Sequence, residues 1–231
     1  MKRAMTGNVE AKTGDVIRLT RRGAVCATSV QDLDFLRVEF LQANYIRLAN
    51  LIDAELLQQV LQRINRASFE PRIHLNIGKE ACMQDELTLN LLHFLANNSR
   101  FFKIIETITE CGKIGCFAGR VYRFGPDEGH FDMWHDDLIE DRLLAMSINL
   151  SPKHYVGGSL ELCDDRSGRI ERIDNTGLGD AIVFRLAPFL RHRVKQVQGT
   201  EAKTAFAGWF KSTPDFFATL KKATLLGSLL L

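Results

Sequence analysis

The chain has 231 residues, of which 45% are hydrophobic and 25% are charged, a composition typical of an ordinary globular domain. Thirty lysines and arginines nearly balance 28 aspartates and glutamates, so the net charge does not indicate a nucleic-acid-binding or membrane-surface protein. The five cysteines are scattered and include no CxxC pair, which argues against a disulfide scaffold or a cysteine-rich zinc module and favours a reducing, cytoplasmic setting.

No segment of the sequence has the pattern of a membrane span or a secretory signal. The longest apolar stretches, such as residues 143–148, fall far short of the roughly 18 residues that a bilayer span needs. The basic start of the chain reaches Glu10 and Asp15 before any apolar region, which does not fit a signal peptide. We therefore predict one domain over 1–231, with no nucleic acid and no membrane as partner.

The first half of the chain carries helical periods. Residues 1–35 are polar and lack a sustained period, so we expect a weakly ordered leader there that can add a strand. From Asp53 onward, apolar residues repeat at three- and four-residue steps, which predicts a helix capped by that aspartate. A second helix is expected to start near Asp85 and a third at a cap formed by Ser99. These helices make residues 50–112 a predicted helical support.

The second half changes to short runs rich in β-branched and aromatic residues, separated by Gly, Pro, Asp and Asn. Seven such runs indicate a sandwich or barrel, and helices followed by strands predict an α+β domain that is mainly β. The last stretch, 214–231, is predicted to form a terminal helix packed on the core or on a second subunit, so a homodimer stays open. The predicted strands are 116–123, 142–150, 159–163, 170–173, 180–185, 191–197 and 204–210.

Two His-x-Asp pairs stand out among the six histidines of the chain. They are His130 with Asp132 and His135 with Asp137, and residues two apart on an extended chain point to the same side. A further histidine, His192, lies on a predicted strand. Two histidines and one carboxylate, which leave open positions on one face of the metal, are the ligand set of non-haem Fe(II) oxygenases. A bare His-x-Asp motif is weak, and either pair supplies one.

Several motifs follow one another in a family-like order over about residues 116–211. They are Trp134-His135-Asp136-Asp137, then Gly157-Gly158-Ser159-Leu160, then Gly179-Asp180-Ala181-Ile182-Val183-Phe184, then His192-Arg193-Val194, then Lys203-Thr204 ahead of Gly208-Trp209-Phe210. In this order and spacing the chain resembles the 2-oxoglutarate and Fe(II)-dependent dioxygenases, specifically the branch related to prolyl 4-hydroxylases. The resemblance implies a double-stranded β-helix, or jelly-roll, as the catalytic core over 116–211, with supporting helices before it.

The resemblance also implies a ligand set. His135, Asp137 and His192 occupy the positions of the iron ligands, because the Trp-His context belongs to the second pair and not to the first. The pair His130 and Asp132 is then expected to support the site or its loop. A carboxylate at Asp137 disfavours the related halogenases, in which that position is vacated for the halide.

By the same resemblance, three residues are expected to bind 2-oxoglutarate. Lys203 takes the place of the basic residue, usually an arginine, that meets the far carboxylate, although a lysine offers a point charge and not a bidentate fork. The alternative is an ordinary surface lysine. We favour the functional role because Lys203 alternates with inward apolar positions such as Ala205, and a buried lysine requires a partner. Tyr122 resembles the family tyrosine that contacts the same carboxylate, and Asn149 a contact on the next strand.

The implied reaction hydroxylates an unactivated C–H bond of a peptidyl residue or a small molecule, while 2-oxoglutarate is decarboxylated to succinate and CO2. Its cofactor is Fe(II), with 2-oxoglutarate and O2 as co-substrates, and ascorbate stays open. Two other classes fit the same triad: a metal hydrolase, with Asp132 or Asp136 as base, and a metal-binding jelly-roll protein without oxygenase activity. Likeness of fold does not decide the substrate.

Overall fold

The computed structural model describes residues 17–27, 29–75, 77–139, 141–174 and 176–213. Helices and strands alternate at first, and strands dominate after residue 115. The helices are α1 (Val30–Ala43), α2 (Ala54–Ile64), α3 (Glu86–Ala96) and α4 (Ser99–Thr109). The strands are β1 (Ile17–Thr20), β2 (Gly23–Cys26), β3 (Tyr45–Leu48), β4 (Phe69–His74), β5 (Gly78–Met83), β6 (Cys116–Phe124), β7 (Phe131–Asp132), β8 (Arg142–Asn149), β9 (Val156–Gly157), β10 (Leu160–Asp164), β11 (Arg169–Ile173), β12 (Ala181–Arg185), β13 (Leu190–Val194), β14 (Val197–Gln198) and β15 (Lys203–Lys211).

Two facing sheets form the double-stranded β-helix that the sequence predicted. The larger has eight strands in the order β3-β12-β8-β15-β6-β5-β4, with β7 paired to β5. The smaller has the order β11-β10-β13, and β14 pairs with β9 beside it. All pairings between named strands are antiparallel, so the mainly β, α+β class with preceding helices is confirmed.

The larger sheet has one face toward the helices and one toward the smaller sheet. Phe206 and Phe210 of β15 are fully buried with the helices, where Phe210 packs on Phe101 of α4 with ring centroids 5.9 Å apart. Their neighbours Ala205 and Trp209 point to the other face. Side chains alternate along a strand. The aromatic residues of β15 that pack against the helices therefore alternate with residues that face the inside of the jelly-roll.

The leader expected over residues 1–35 is not weakly ordered where the structure describes it. Residues 17–26 form a hairpin in which Ile17 and Leu19 are each 1% exposed, and α1 begins right after its cap, Ser29. Strands of four residues with one or two buried positions are too short to show a period in the sequence. Residues 1–16 and the predicted terminal helix 214–231 lie outside the described residues.

A hairpin also interrupts the predicted helical support. β4 and β5 pair over residues 69–83, between α2 and α3. Pro71 lies in β4, the last strand of the sheet order, where a missing backbone N–H is tolerated. The strand is mostly exposed and carries no apolar alternation, which is why the sequence did not indicate it. In the described residues no helix is long and apolar enough to span a membrane.

The cap of α4 lies one residue before the predicted one. The side chain of Asn98, not of Ser99, accepts hydrogen bonds from the backbone N–H groups of Arg100 and Phe101. Replacing Asn98 with alanine leaves these groups without their side-chain acceptor, and we expect the free energy of unfolding to fall by about 1 kcal/mol. Urea denaturation followed by circular dichroism measures this change. A Ser99→Ala variant is the matched control, and an equal loss in it would contradict the assignment.

Candidate active site

The two histidines of the predicted triad are joined through their backbones. His135 N–H donates to His192 O at 3.1 Å, and His192 N–H donates to His135 O at 2.8 Å. This isolated antiparallel bridge connects the loop after β7 to β13, and it brings the two imidazole centroids to 4.2 Å. Residues far apart in sequence are thus neighbours on one wall of the jelly-roll.

Asp137 completes the cluster. Its Oδ2 lies 3.6 Å from Nε2 of His135 and 3.3 Å from Nε2 of His192. One ligand atom from each of the three residues lies within 4.8 Å of the others, the separation at which a single ion can bind all three. Two imidazole nitrogens and a carboxylate oxygen suit Fe(II), so the donor set fits the metal that the family resemblance implies.

The backbone and two donors hold Asp137 in place. Its φ of 57° lies in the left-handed region, which an aspartate adopts more readily than most residues. Trp209 Nε1 donates to Oδ2 at 2.8 Å, and Arg142 Nη1 donates to Oδ1 at 3.0 Å. The Arg142 guanidinium also stacks on the Trp209 ring at 3.5 Å from its centroid. These contacts fix which way the carboxylate faces.

His135 is oriented by a carbonyl. Its Nδ1 lies 2.7 Å from Met133 O, and since a carbonyl only accepts, Nδ1 carries a proton, while Nε2 faces Asp137 and would bind a metal after losing its own proton. Asp132 Oδ1 lies 3.5 Å from the same Nδ1, while its Oδ2 accepts from Val194 N–H at 2.7 Å. Burial lowers the pKa of His135, but Asp137 and Asp132 outweigh it and raise the pKa to about 9. Burial acts against ionised Asp137, yet both histidines hold its carboxyl pKa well below the usual range.

The competing pair does not come together as a ligand set. His130 is buried, with Nδ1 accepting from Gly125 N–H at 2.9 Å and its ring against Phe124. It is therefore a structural histidine of the loop after β6. Asp132 instead supports His135, which agrees with the supporting role expected for this pair.

Lys203 is buried inside the same cavity. It is 7% exposed, and its Nζ donates to Gly158 O at 2.7 Å. Ala205, Ala207 and Trp209 line the cavity with it, as the predicted alternation along this strand requires. Burial lowers the pKa of Lys203 to about 8, although the charge of Asp132 opposes the shift. Among the described residues, Lys203 Nζ has a single hydrogen bond, to Gly158, so it has donors left for an anion.

Gly158 shapes the pocket around that lysine. Its φ of 63° favours glycine, and a Cβ there would come within 2.8 Å of the Tyr155 ring and 3.2 Å of Lys203 Cδ. The glycine therefore lets its carbonyl reach the lysine while Tyr155 packs beside it. Tyr155, a buried cavity residue, was not among the predicted site residues, because it lies in a loop with no periodic pattern.

The two other predicted contacts with 2-oxoglutarate differ in quality. Tyr122 is buried and lines the cavity, and burial raises its hydroxyl pKa, so it stays a neutral donor. Asn149 also lines the cavity, but its amide donates to Thr176 O at 2.7 Å and its Oδ1 accepts from Ser151 N–H at 3.0 Å. These bonds tie the loop before β12 to β8. Tyr122 thus lines the cavity as a neutral donor, whereas the printed hydrogen bonds of Asn149 go to backbone groups.

One cavity of about 480 Å³ lies between the two sheets. It is lined by the three residues of the triad and by Lys203, Tyr122, Asn149 and Tyr155. The volume falls in the range of small-molecule sites. Buried polar groups such as Lys203 and Tyr122 line it, and at its rim exposed apolar side chains occur together with the exposed charged residues Arg72, Asp136 and Asp174. The outer apolar residues are Ile77, Phe131, Leu138 and Ile139.

Replacing Trp209 with phenylalanine removes the N–H that orients Asp137 and keeps an aromatic ring under Arg142. Removing a group that orients a metal ligand typically lowers metal affinity by about 10- to 100-fold, so we expect about a tenfold loss of Fe(II) affinity. Metal titration of the metal-free protein measures it. The matched control is Trp134→Phe, because that ring lies under Arg193 and not on a ligand. Equal Fe(II) affinity in both variants would contradict the orienting role.

Comparisons with known proteins agree with this geometry. Residues 119–211 match the model of a family described as the 2OG-Fe(II) oxygenase superfamily. A prolyl-4-hydroxylase structure from Pseudomonas putida aligns at 15% identity with a TM-score of 0.62, over 78% of this chain and 99% of the other. A Trichoplax adhaerens prolyl hydroxylase, in complex with a hypoxia inducible factor oxygen degradation domain peptide fragment, aligns at 19% identity with a TM-score of 0.53, over 80% and 94%.

A third similar structure has a different reaction. It is SnoN, the non-heme alpha ketoglutarate dependent epimerase from nogalamycin biosynthesis, at 12% identity and a TM-score of 0.58, over 79% of this chain and 84% of the other. A search of curated proteins finds no significant match. The family match confirms the resemblance predicted from the motifs, and the structural likenesses, at these low identities, confirm the fold.

Proposed function

Residues 119–211 match the model of the 2OG-Fe(II) oxygenase superfamily, and we propose that this chain is a 2-oxoglutarate-dependent hydroxylase. The substrate is a small molecule or a single peptidyl residue. The observation that carries the proposal is that His135, Asp137 and His192 converge in the same cavity as a buried lysine, Lys203.

His135, Asp137 and His192 would hold Fe(II), which would supply the oxidative chemistry: 2-oxoglutarate and O2 would yield succinate and CO2, and one oxygen atom would enter a C–H bond of the substrate. The chain itself binds and orients. Lys203 Nζ faces the cavity and pairs with the far carboxylate of 2-oxoglutarate, while the neutral Tyr122 hydroxyl donates to the same group. Trp209, Arg142 and Met133 hold two of the ligands in fixed orientations, so little rearrangement accompanies metal binding.

A metal hydrolase is less well supported. Such an enzyme needs a base that faces metal-bound water. The oxygens of Asp132 are directed to Val194 N–H and His135 Nδ1, and Asp136 is exposed with its Oδ1 accepting from Leu138 N–H. A fold without activity would gain nothing from a buried lysine, since desolvation of its charge is costly. The perturbed Lys203 in a cavity with three potential ligands favours catalysis.

The test is succinate formation from 2-oxoglutarate by the full chain with Fe(II) and ascorbate. We expect O2-dependent succinate release that candidate substrates increase, with a product heavier by one oxygen atom. An anaerobic sample and a Zn(II)-loaded sample are the controls. Turnover of a hydrolysable substrate in the Zn(II) sample without O2 would favour the hydrolase. Absence of both 2-oxoglutarate binding and succinate release would refute the proposal.

A further inference from the structure

A second charged cluster lies on the cavity wall and takes no part in binding the metal or 2-oxoglutarate. Glu80 of β5 is 3% exposed, and Arg120 of β6 binds it through Nε, in a very close contact, and through Nη2 at 2.8 Å. His74 Nε2 lies 3.0 Å from Glu80 Oε1, and Cys82 Sγ lies 3.3 Å from the same oxygen. Burial raises the pKa of Glu80, but Arg120 outweighs it and keeps the carboxyl ionised.

The pairing holds Arg120 in a fixed orientation. Glu80 engages the edge formed by Nε and Nη2, whereas Nη1 has no acceptor among the residues that the structure describes. Arg120 lines the cavity, with its guanidinium carbon 5.6 Å from the Trp209 ring centroid and 5.7 Å from that of Tyr122. It thus lies between the tyrosine of the co-substrate end and the tryptophan that binds Asp137. The Trp209 ring connects this guanidinium to Asp137, whose Oδ2 accepts from Trp209 Nε1 at 2.8 Å.

The charges around this position favour an anion. Glu80 already accepts from Arg120 through both oxygens and has His74 and Cys82 at Oε1, and Asp137 would be a ligand of the metal. The second cation nearby, Arg142, uses only Nη1 toward Asp137 among the described residues, so its other donors remain. Two guanidinium groups therefore flank the Trp209 ring with donors left over. A planar guanidinium edge matches a carboxylate, and a pre-oriented one loses little entropy on binding.

The rest of the cavity limits the body of that ligand. A volume of about 480 Å³ has to hold 2-oxoglutarate together with the substrate, which favours a small molecule over a folded chain segment. The outer residues Ile77, Phe131, Leu138 and Ile139 are apolar and partly exposed. An apolar body bound there would bury their surface, while its charged end reaches the guanidinium groups.

We propose that the substrate is a small organic carboxylate with an apolar body, and that Arg120 is the residue that anchors its carboxylate. This inference rests on the proposed function, since it names the substrate class of the same site. The anchor sets the distance between the carboxylate and the metal and thereby selects which C–H bond of the substrate is nearest the iron. Glu80 acts through Arg120 as a positioning residue.

The test compares acids with their neutral counterparts. Free amino acids and straight-chain fatty acids, each beside its primary amide, are titrated calorimetrically into Mn(II)-loaded protein with 2-oxoglutarate and without O2. Substrate-stimulated succinate release is measured in parallel with Fe(II). We expect at least one acid to bind about 10- to 100-fold more tightly than its amide, the range for a charged hydrogen-bond pair. If no acid binds more tightly than its amide, the proposal is overturned.

The residue itself is tested with Arg120→Gln and Arg120→Lys. The glutamine variant is expected to bring the acid-to-amide affinity ratio close to one, and the lysine variant to restore part of it. Because Arg120→Gln leaves Glu80 buried without its partner, the double variant E80Q/R120Q provides a second form without an unpaired charge. Arg169→Gln, an exposed arginine paired with Glu171, is the matched control. An unchanged ratio in the double variant would overturn the assignment of Arg120.

Failure of the proposed function has a different signature. The same calorimetric series includes 2-oxoglutarate as a ligand of the Mn(II)-loaded parent protein. If the parent fails to bind 2-oxoglutarate, the proposed function fails. If it binds 2-oxoglutarate but binds acids and amides equally, only the substrate class fails.

Discussion

Replacing Asp137 with alanine is expected to abolish Fe(II) binding and succinate formation together. Asp137 supplies the negative charge of the cluster, and its Oδ2 faces Nε2 of both His135 and His192. Losing a residue that merely orients a ligand costs about 10- to 100-fold in metal affinity, so loss of the ligand itself is expected to cost at least about 100-fold. Iron content after anaerobic dialysis measures the binding, and succinate release measures the activity.

Two neighbouring variants make this result specific. Asp136→Ala removes the adjacent carboxylate, which is exposed and accepts from Leu138 N–H, and we expect it to retain iron. His130→Gln changes the other His-x-Asp pair, whose histidine accepts from Gly125 N–H, and is also expected to retain iron. If Asp137→Ala keeps its full iron content while His130→Gln loses iron, the metal is bound by the other His-x-Asp pair and our assignment is wrong.

The sequence was sufficient to predict the fold class and most strands of the jelly-roll. The strand predictions succeeded because the core strands carry buried apolar residues bounded by glycine-rich turns, as in the predicted strand 204–210, which the structure extends to Lys203–Lys211. The triad was proposed from the order of motifs. In the structure one ligand atom from each of its three residues lies within 4.8 Å of the others. The backbone bridge between His135 and His192 joins distant segments, and no local pattern reports such a pairing.

Polar residues of the cavity that belong to no motif were missed. Arg120 and Glu80 lie on strands β6 and β5, and their pairing depends on how these strands are placed side by side. Glu80 could not be assigned to the interior, because a hairpin with an exposed, proline-containing strand gives no alternation. Asn149 was predicted as a contact of 2-oxoglutarate; it lines the cavity, and its side chain forms hydrogen bonds with the backbone of Thr176 and Ser151.

Replacing Lys203 with methionine is expected to weaken 2-oxoglutarate binding by about 100-fold or more, because the far carboxylate of 2-oxoglutarate loses the positive charge with which it pairs in the proposed complex. The same change is expected to stabilise the protein without 2-oxoglutarate. Lysine at this position is buried and loses its hydration, whereas methionine of similar length fills the space without a charge. Calorimetric titration with 2-oxoglutarate and thermal unfolding of the same preparations measure both effects. A variant with weaker binding and lower stability would indicate misfolding and not loss of a subsite.

The pH dependence of binding tests the same charge in the unmodified protein. Because burial lowers the pKa of Lys203 from 10.5 to about 8, the free protein loses this charge as the pH rises above 8. The affinity for 2-oxoglutarate is then expected to fall about tenfold for each further pH unit, since only the protonated amine pairs with the carboxylate. Tyr122 and Tyr155 face the same space, but burial raises the pKa of each, so both stay neutral across this window.

The stability of the ligand-free protein has the opposite dependence. Below pH 8 Lys203 is charged in both the folded and the unfolded chain, and the cost of burying that charge is fully present. Between pH 8 and 10.5 the folded protein releases the proton first, so the contribution of Lys203 to the free energy of unfolding rises with pH. Lys203→Met lacks this contribution, and Lys203→Arg stays charged throughout. The difference in unfolding free energy between the parent and Lys203→Met is therefore expected to shrink as the pH rises, and a constant difference would show that Lys203 does not titrate there.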